Sequence, residues 1–593
     1  MALVEVVDVG GCIAVTGVDT WALRCGSVIG KKWLRVYPAS MSPRGLRCGL
    51  LGGLLLAAAE TLLRYLPAHA GTDLSPAALL PVVAGTVLAL PAGVAGLLHP
   101  AAAVAMLVGC GVLGGGVIGG VLAGLAAGLA MALSRSGAWS AAAIAALLLS
   151  TLPLRASPVG ECEAPVVVLA VMDTVGAQAT SLHGAALATT PGLEALAARG
   201  TWFSEAISPA PWTLPAHAAM FTGRLPRSIG AHHEQLVLSA DVTTLAQRLS
   251  AAGWRTGAFV ANPWIARETG MTRGFSHQEH HSEISAAAVR FSALSLLPVR
   301  RNKGGRGLVK RALAWTGRCA GQPTFVFLNL LEAHSPFHQN ADADRFGVDE
   351  PVRISQRMAA VQLRGPAGVE GFPEPGELDA ARRLYAAGVA EADARVAELA
   401  AALPRASMVV TADHGEAFGE HGFYGHMIGI HREVLQVPLV VVGPQVPAQR
   451  IDEPTSTMRV HDTVLALAGL PGSDSLLSKT PDAPVLSEQL RPILKLNDLG
   501  EQAEGWMDSR QSRAQIGAQA VVRREPVEGA VQWHRYDLLA DPLEQNPLPL
   551  NASHRVLKGL LSDMIQQPIV SGFELELDGQ MRAQLHALGY VEP

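Results

Sequence analysis

Three short stretches of this sequence end in side chains that could bind a divalent metal ion and a tetrahedral anion. They are VVVLAVMDT with Asp173, PWTLPAHAAMFTG with Thr213, and MVVTADHGE with Asp413 and His414. In the first and third, an apolar run stops at a carboxylate, as where a buried parallel strand ends at the carboxyl edge of a sheet. In the second, a hydroxyl precedes a proline-started helix, where free backbone N–H groups favour an anion. Together they predict a metal-dependent enzyme acting on phosphate or sulfate esters.

The predicted metal site draws on all three stretches. Its expected ligands are Asp173, Thr213, Asp413 and His414. Such a tetrahedral set of oxygen and nitrogen donors favours one zinc or manganese ion, with calcium as the alternative, although calcium prefers six or more oxygens. A divalent cation offsets the negative charge of an ester and lowers the pKa of a hydroxyl beside it. Thr213 is therefore the predicted nucleophile as well as a ligand.

Three further histidines are predicted to act on the ester. His334 ends the run FLNLLEAHSPF, while His421 and His426 lie in the glycine-rich stretch after the third motif. We expect them to donate hydrogen bonds to ester oxygens or to protonate the leaving group. Each site residue also has an ordinary interpretation. An aspartate at a strand end can be a turn or helix cap, Thr213 can be an N-cap, and a glycine-rich loop can simply expose its histidines.

Alternating strands and helices must position these groups. Strands are predicted at 166–171 and for TGAFV, TFVFLNLL, SMVVTA and VPLVVVG, and helices for GLEALAARG, VTTLAQRLSAAG, 377–402 and RVHDTVLALAG. This alternation over 160–475 favours an α/β catalytic domain, with a mostly parallel sheet sandwiched by helices. Residues 340–376 carry glycine, proline and charges and are predicted as an insertion or lid. A small antiparallel C-terminal subdomain is predicted over 476–593.

Composition predicts a membrane domain before the catalytic one. A mean hydropathy of +0.26 with 16% charged residues is too apolar for a wholly soluble enzyme of 593 residues. The excess lies in 46–154, where a multi-span α-helical domain of four or five spans is predicted, at about 46–66, 77–98, 101–133 and 137–154. Basic residues before the first span place the N-terminal side in the cytoplasm. Five spans would put the catalytic domain on the extracytoplasmic side of the cell membrane, which is our expectation; four would keep it inside.

The N-terminal segment, the cysteines and the net charge limit which compartment and partners are expected. Residues 1–45 are predicted as an N-terminal cytoplasmic segment, and a start of translation at Met41, directly before the first span, is the alternative. Cys162 and Cys319 belong to the catalytic domain, where either a disulfide or two thiols fits. A net charge of −5 gives no reason to expect nucleic acid. The expected partners are the membrane and an ester substrate carried by a lipid or a glycan.

Five longer motifs occur in a fixed order along residues 165–593. They are TTPGLEALAARGTWFSEAISPAPWTLPAHAAMFTGRLP, FLNLLEAHSPF, TADHGEAFGEHGFYGH, YDLLADPLEQNPL and LHALGYV. They resemble, in order, the nucleophile region, the His-x-Pro-Tyr strand end, the second metal motif and two C-terminal signatures of the sulfatase family in the alkaline-phosphatase superfamily. The resemblance implies that family's α/β fold and its metal-dependent ester chemistry.

The nucleophile motif departs from the family pattern. Sulfatases carry Cys or Ser in Cys-x-Pro-x-Arg and oxidise it to formylglycine, whereas Thr213 here begins Thr-Leu-Pro-Ala-His. The extra methyl group on the threonine Cβ prevents oxidation to an aldehyde, so no formylglycine is expected. A threonine nucleophile resembles the phosphoethanolamine transferases and lipoteichoic-acid synthases, which are also membrane-anchored.

Other family positions differ as well. His217 stands where sulfatases place the arginine, and Asn262 lies near the place of an absent family lysine. By that resemblance both are predicted to bind substrate, although a structural hydrogen bond is the alternative for His217. Asp173 is followed by threonine, so one of two adjacent carboxylates of many sulfatases is missing.

Three functions follow from these observations. The first is a membrane-anchored hydrolase or transferase of phosphate or sulfate esters that uses Thr213. The second is a sulfatase that works without formylglycine. The third is a catalytically degenerate family member that acts as a binding or scaffold protein.

Overall fold

The computed structural model describes residues 163–232, 235–281, 303–337, 340–364, 373–422, 424–427, 429–478, 484–490, 509–526, 529–570 and 585, with four strands before residue 37. The chain divides into two units, Met1–Ala156 and Ser157–Pro593. In the first, an antiparallel sheet contains β1 (Val6–Val9), β2 (Cys12–Gly17), β3 (Thr20–Cys25) and β4 (Leu34–Val36) in sequential order. The predicted spans within 46–154 and the alternative start at Met41 lie outside the described residues. Within those that are described, no helix is long and apolar enough to cross a membrane.

A nine-stranded sheet organises the second unit. Its strands, with those of three smaller sheets, are β5 (Val166–Met172), β6 (Thr201–Ile207), β7 (Gly230–His232), β8 (Gln235–Leu238), β9 (Arg255–Val260), β10 (His277–His280), β11 (Thr324–Leu330), β12 (Ser407–Thr411), β13 (Ala417–Phe418), β14 (Tyr424–Gly425), β15 (Gln436–Val442), β16 (Gln449–Ile451), β17 (Thr455–Ser456), β18 (Val485–Gln489), β19 (Arg510–Ile516), β20 (Gln519–Glu525) and β21 (Gln532–Asp537). The order in the large sheet is β10-β9-β11-β5-β12-β15-β6-β16, with β17 also paired to β6. Every pair is parallel except the two made by β15. The predicted mostly parallel sheet is confirmed.

The register of the central strands aligns the site residues. β5 and β11 are buried along their whole length, as apolar strands covered on both faces should be. Val171 on β5 pairs with Thr411 on β12, so Asp173 and Asp413, each two residues further on, reach the carboxyl edge at the same level. Met172 pairs with Leu330 on β11, so the loop that carries His334 begins at that edge too.

Of the ten α-helices within the described residues of the second unit, eight fall into two groups whose members contact one another. The helices are α1 (Pro191–Ala197), α2 (Thr213–Thr222), α3 (Leu245–Ala251), α4 (Gly305–Thr316), α5 (Ala341–Arg345), α6 (Pro351–Arg364), α7 (Pro375–Ala402), α8 (Arg432–Leu435), α9 (Val460–Leu467) and α10 (Arg555–Gln566). One group is α1, α4, α5, α6 and α7, and the other is α2, α3 and α9; β5 contacts α7 and α9, one from each group. The carboxylate of Asp393 on α7 accepts hydrogen bonds from the N–H groups of Gly192 and Leu193, so it caps the start of α1.

The predicted insertion at 340–376 needs a correction. Residues 341–345 and 351–364 are helical, and Ile354, Met358 and Val361 are buried in the main core. Their spacing of four and three residues places them on one helical face, which the glycine and proline content of the region obscured. Residues 365–372 lie outside the described chain.

Strands β18 to β21 form a separate antiparallel sheet, against which α10 packs. Residues of its first strand, β18, donate hydrogen bonds to the segment that leads to Thr213. The Glu488 N–H donates to the Pro209 carbonyl at 2.9 Å, and the Ser487 hydroxyl donates to the Ser208 carbonyl at 2.7 Å. Arg227 adds a buried ion pair, with Nε 2.6 Å from Glu488 Oε2.

Cys319, before β11, is disulfide-bonded and buried. Cys162, its predicted partner, lies outside the described residues.

Candidate active site

Three predicted metal ligands converge at the carboxyl edge of the sheet. One donor atom from each of Asp173, Asp413 and His414 lies within 4.8 Å of the others, and all three side chains are fully buried. His414 Nδ1 lies 3.0 Å from the Gly415 carbonyl, which can only accept, so Nδ1 carries the hydrogen and Nε2 presents a lone pair. This is the tautomer that a metal ligand requires.

The backbone around this cluster is shaped to bring the two strand ends together. Thr174 has a positive φ of 63°, and its N–H donates to Asp413 Oδ1 at 2.9 Å while its hydroxyl donates to Asp173 Oδ1 at 3.0 Å. Thr174 thus occupies the position after Asp173 where the family resemblance implied a second carboxylate. Its two hydrogen bonds connect the Asp173 and Asp413 side chains. Gly415 is required because a Cβ there would lie 2.2 Å from the Glu433 carbonyl oxygen.

The electrostatics of the two carboxylates call for a cation. Burial and the charge of Asp413 raise the pKa of Asp173 to about 6. Burial raises the pKa of Asp413 to about 7, although the N–H groups of Thr174 and His414 donate to it. No described residue donates a hydrogen bond to Asp413 Oδ2. Because two buried carboxylates at this distance repel, a divalent cation among them fits the donors that are present.

Thr213 lies against this cluster at the first residue of α2. Its Oγ1 is 3.3 Å from His414 Nε2, and Asn262 Nδ2 donates to it at 3.2 Å. The helix begins at Thr213 rather than after it, with Pro215 in its first turn. A buried hydroxyl held between an amide donor and an imidazole lone pair is a plausible nucleophile by geometry.

Asn262 contacts the nucleophile and a metal ligand. Besides Thr213, its Nδ2 donates to Asp173 Oδ2 at 3.0 Å, and Asn329 Nδ2 donates to the same oxygen at 2.9 Å. The Asn262 N–H in turn donates to Asn329 Oδ1 at 2.9 Å. The amide nitrogen of the Asn262 side chain thus donates within the site, while its Oδ1 accepts from the Trp264 N–H at 3.0 Å, and its predicted contact with substrate stays a prediction.

His217 supports the nucleophile's helix. Its Nδ1 is 2.9 Å from the Thr213 carbonyl and 3.4 Å from Asp413 Oδ2, and its ring packs edge-on against Phe221 and Phe327. Burial lowers the pKa of His217 to about 3, so the imidazole is neutral at physiological pH. Of the two interpretations, the structural hydrogen bond is the one observed, and the anion contact stays a prediction.

His334 and His426 form a second histidine cluster beside His414. Their ring centroids are 4.9 Å apart, and His426 is 4.5 Å from His414. The Nδ1 of His334 contacts the Ser335 carbonyl, so Nδ1 carries the hydrogen and Nε2 is an acceptor in the neutral ring. Burial, with His426 and then Lys303, lowers the pKa of His334 well below its usual value.

His426 has a buried carboxyl partner. Its Nδ1 is 3.1 Å from Glu416 Oε1, and both side chains are buried. Burial raises the pKa of Glu416 to about 8 and lowers that of His426 to about 4, so the pair is neutral near pH 7. In the tautomer in which the protonated Glu416 donates to Nδ1, the ring hydrogen lies on Nε2 and His426 is a donor beside the acceptor His334.

The structure gives His421 other partners, so we correct its assignment. Its Nδ1 is 2.8 Å from Glu433 Oε1, its Nε2 is 3.0 Å from the Glu544 carbonyl, and its ring stacks on His431 at 3.7 Å. His421 has a positive φ of 55°, a backbone conformation that the glycine-rich sequence did not predict. Because both ring nitrogens are engaged away from the cluster, His421 is left out of the proposed mechanism.

The pH dependence of stability should reveal this structural role. Burial alone would lower the pKa of His421, but the hydrogen bond and the charge of Glu433 outweigh it and raise the pKa. The stabilisation is therefore fully present below the unfolded-state pKa of about 6.5 and is lost as pH rises through the higher folded-state pKa. In His421→Asn, we expect a loss of Tm that shrinks as pH rises, with kcat within about threefold of wild type.

The matched control is His183→Asn. Burial lowers the pKa of His183 to about 4, below its unfolded-state value of about 6.5, so the cost of keeping it neutral falls as pH rises. The loss of Tm in His183→Asn should therefore grow between pH 6 and 8, the opposite of the trend expected for His421→Asn. A large fall in kcat for His421→Asn, with Tm unchanged, would restore the catalytic assignment.

Several site residues escaped the sequence analysis, although signals for some were present. Asn329 is the one polar residue in the apolar interior of TFVFLNLL, and Glu416 lies two residues after His414. Tyr385 donates its hydroxyl hydrogen to the Thr174 carbonyl at 2.7 Å, which holds the strained residue in place. Tyr385 lies within a long helix, where its sequence context gives no functional signal.

Comparison with known proteins identifies the family. The sulfatase family model matches residues 165–470, more than half of the chain, so the chain belongs to the sulfatase family. The sequence-based assignment to this family is confirmed.

Individual relatives are distant. Arylsulfatase K of Rattus norvegicus is 21% identical over 344 residues, which cover 52% of this chain and 60% of that protein, so less than two thirds of its length is matched. An uncharacterised sulfatase, YidJ, of Escherichia coli is 21% identical over 340 residues, which cover 49% of this chain and 66% of the relative. The phosphonate monoester hydrolase structure from Silicibacter pomeroyi aligns with a TM-score of 0.53 at 18% identity, over 68% of this chain and 94% of that one, which supports the fold.

Proposed function

We propose that this protein is a metal-dependent hydrolase or transferase of phosphate or sulfate esters in which Thr213 is the nucleophile. The observation that carries the proposal is the position of Thr213 Oγ1, which lies 3.3 Å from His414 Nε2 beside three convergent ligand side chains. A bound divalent ion would supply the positive charge that offsets the ester oxygens and lowers the pKa of a neighbouring hydroxyl. Asp173, Asp413, His414 and Thr213 would hold it, with zinc or manganese favoured by the donor set.

Different side chains of the protein serve the successive steps of the proposed reaction. Thr213 would release its hydroxyl proton to solvent before attack, and Asn262, which donates to Oγ1, stabilises the negative charge on that oxygen as it attacks phosphorus or sulfur. As the bond to the leaving oxygen breaks, His426 would pass its Nε2 hydrogen to that oxygen while its Nδ1 takes the proton of Glu416, which is left as a carboxylate. His334, whose neutral ring carries its hydrogen on Nδ1, can then accept a proton on Nε2 from the water or alcohol that releases the esterified threonine. Water would make the enzyme a hydrolase, and an alcohol would make it a transferase.

Threonine at the nucleophile position favours phosphoryl transfer over sulfatase chemistry that depends on formylglycine. Sulfate-ester hydrolysis without formylglycine remains the second candidate, because two of the relatives above are named sulfatases. The substrate is proposed to be a phosphate or sulfate ester of a lipid or a glycan.

We also propose that the protein is anchored in the cell membrane through 46–154, with the catalytic domain on the extracytoplasmic side. The disulfide at Cys319 supports an oxidising compartment, since such bonds are rare in the reducing cytosol. Protease protection of Cys319-containing peptides in right-side-out vesicles tests the sidedness: cleavage from outside is expected, and protection would contradict it.

The deciding experiment joins turnover to mass spectrometry. Full-length protein in detergent is offered nitrophenyl esters of phosphate, phosphodiester, phosphonate and sulfate with zinc or manganese, and the Thr213 peptide is then analysed. Turnover with a mass increment on Thr213 equal to the transferred group is expected, and the increment distinguishes phosphorus from sulfur. Absence of both turnover and bound metal would favour the scaffold function instead.

A further inference from the structure

Lys303 is a buried cation that the proposed mechanism does not use. It lies two residues before α4, in a part of the chain remote from the place of the absent family lysine, near which Asn262 lies. Its side chain is only 2% exposed, which is rare for a lysine unless it is paired. Its Nζ donates to the carbonyl oxygen of His334 at 2.9 Å. Lys303 thus contacts the residue that supplies one of the two proposed proton-transfer groups.

The two glycines after Lys303 allow the backbone to pass close to neighbouring side chains. Gly304 has a positive φ of 88°, and a Cβ there would lie 2.2 Å from the His281 ring. A Cβ on Gly305 would lie 2.0 Å from Glu332 Oε1, the oxygen that accepts a hydrogen bond from the Gly305 N–H at 2.9 Å. Gly305 therefore lies closely against the Glu332 side chain, and Gly304, with its positive φ, lies closely against the His281 ring.

Lys303 also acts on His334 through its charge. After burial and the neighbouring His426, this charge lowers the pKa of the His334 imidazole. His414 acts on the same ring in the same direction. The hydrogen bond to the His334 carbonyl and this charge both connect Lys303 to the acceptor histidine.

We propose that Lys303 is a positioning residue that holds the His334 backbone, and through it the His334 imidazole, in register with His426 for proton transfer. The inference rests on the proposed function, because it assigns Lys303 to the same reaction. Lys303 acts through His334 and need not touch the ester. Its loss should therefore misplace a proton-transfer group without weakening the binding of substrate, and misplacements of about 1 Å can cost roughly 100-fold in rate.

The test compares three variants of the full-length protein on the best nitrophenyl ester. Lys303→Met should lower kcat by about 10- to 100-fold with KM within about threefold of wild type and the metal content unchanged. Lys303→Arg, which keeps a cation and a donor, should recover part of that loss. Lys310→Met is the matched control, because Lys310 lies on α4, is exposed and loses the same charge; it should leave kcat unchanged.

The outcomes separate the two proposals. An inactive wild-type protein would overturn the proposed function and this inference together. An active wild type in which Lys303→Met matches Lys310→Met would overturn the inference alone. If Lys303→Met does not fold, Lys303→Arg decides: a fall in kcat at an unchanged Tm supports positioning, while unchanged kcat with a lowered Tm shows that Lys303 has only a structural role.

Discussion

Replacing Thr213 with alanine is expected to lower kcat by roughly 10³-fold or more, because it removes the oxygen that forms the bond to phosphorus or sulfur. The three remaining ligands Asp173, Asp413 and His414 are unchanged, so a bound metal should still be measurable in the purified variant. Thr213→Ser, which keeps the oxygen and loses only a methyl group, should retain most of the activity. Steady-state turnover and metal analysis on the same preparations provide both readouts.

The matched control is Thr222→Ala at the other end of α2. Thr222 is also buried, but its hydroxyl donates to the Ala218 carbonyl inside the helix. Its removal changes the same atoms in the same element and should leave kcat within a few-fold. Thr213→Ala with wild-type turnover would exclude a threonine nucleophile and leave attack by water as the remaining route.

Replacing Asp413 with asparagine should abolish metal binding and turnover together. Asp413 is the ligand whose Oδ2 accepts no hydrogen bond from the described residues, so a cation has the most to gain there. Groups that merely support metal ligands contribute 10- to 100-fold in affinity, and loss of a charged ligand should exceed about 100-fold. Titration with zinc and manganese, followed calorimetrically, measures the change.

Asp393→Asn is the control for this substitution. Asp393 is a buried aspartate that caps α1, and its loss should cost about 1 kcal/mol of stability without altering metal affinity. Equal metal affinity in the wild type and in Asp413→Asn would show that the cluster does not bind metal as proposed.

The central part of the fold and the metal ligands could be predicted because each rests on a local pattern. Apolar runs that stop at Asp173 and Asp413 give both the strand and its polar end, and parallel pairing then brings the two ends together. The direction of a strand, in contrast, could not be predicted from such a local pattern. The run VPLVVVG has the same apolar pattern in either direction, so only the pairing in the structure shows that β15 is antiparallel to both neighbours.

The supporting residues could not be predicted for a physical reason. Lys303 and Tyr385 donate hydrogen bonds to the carbonyl groups of His334 and Thr174, which lie 31 and 211 residues away in the sequence, and no short sequence window encodes such a contact. His421 shows the reverse case. Its sequence context next to the metal motif favoured catalysis, but a positive φ and contacts with Glu433 and Glu544 direct it elsewhere.

The strand that begins the C-terminal sheet has a practical consequence for expression. The family match ends at residue 470, yet Ser487 and Glu488 hold the backbone just before the nucleophile, and the Gln489 side chain accepts a hydrogen bond from the Gly429 N–H at 2.6 Å. A fragment cut at the family boundary would lose all of these contacts while keeping every ligand and proton-transfer group. Such a truncation would be expected to yield protein with a misplaced Thr213, so inactivity of a shortened fragment would say nothing about the chemistry of the whole chain.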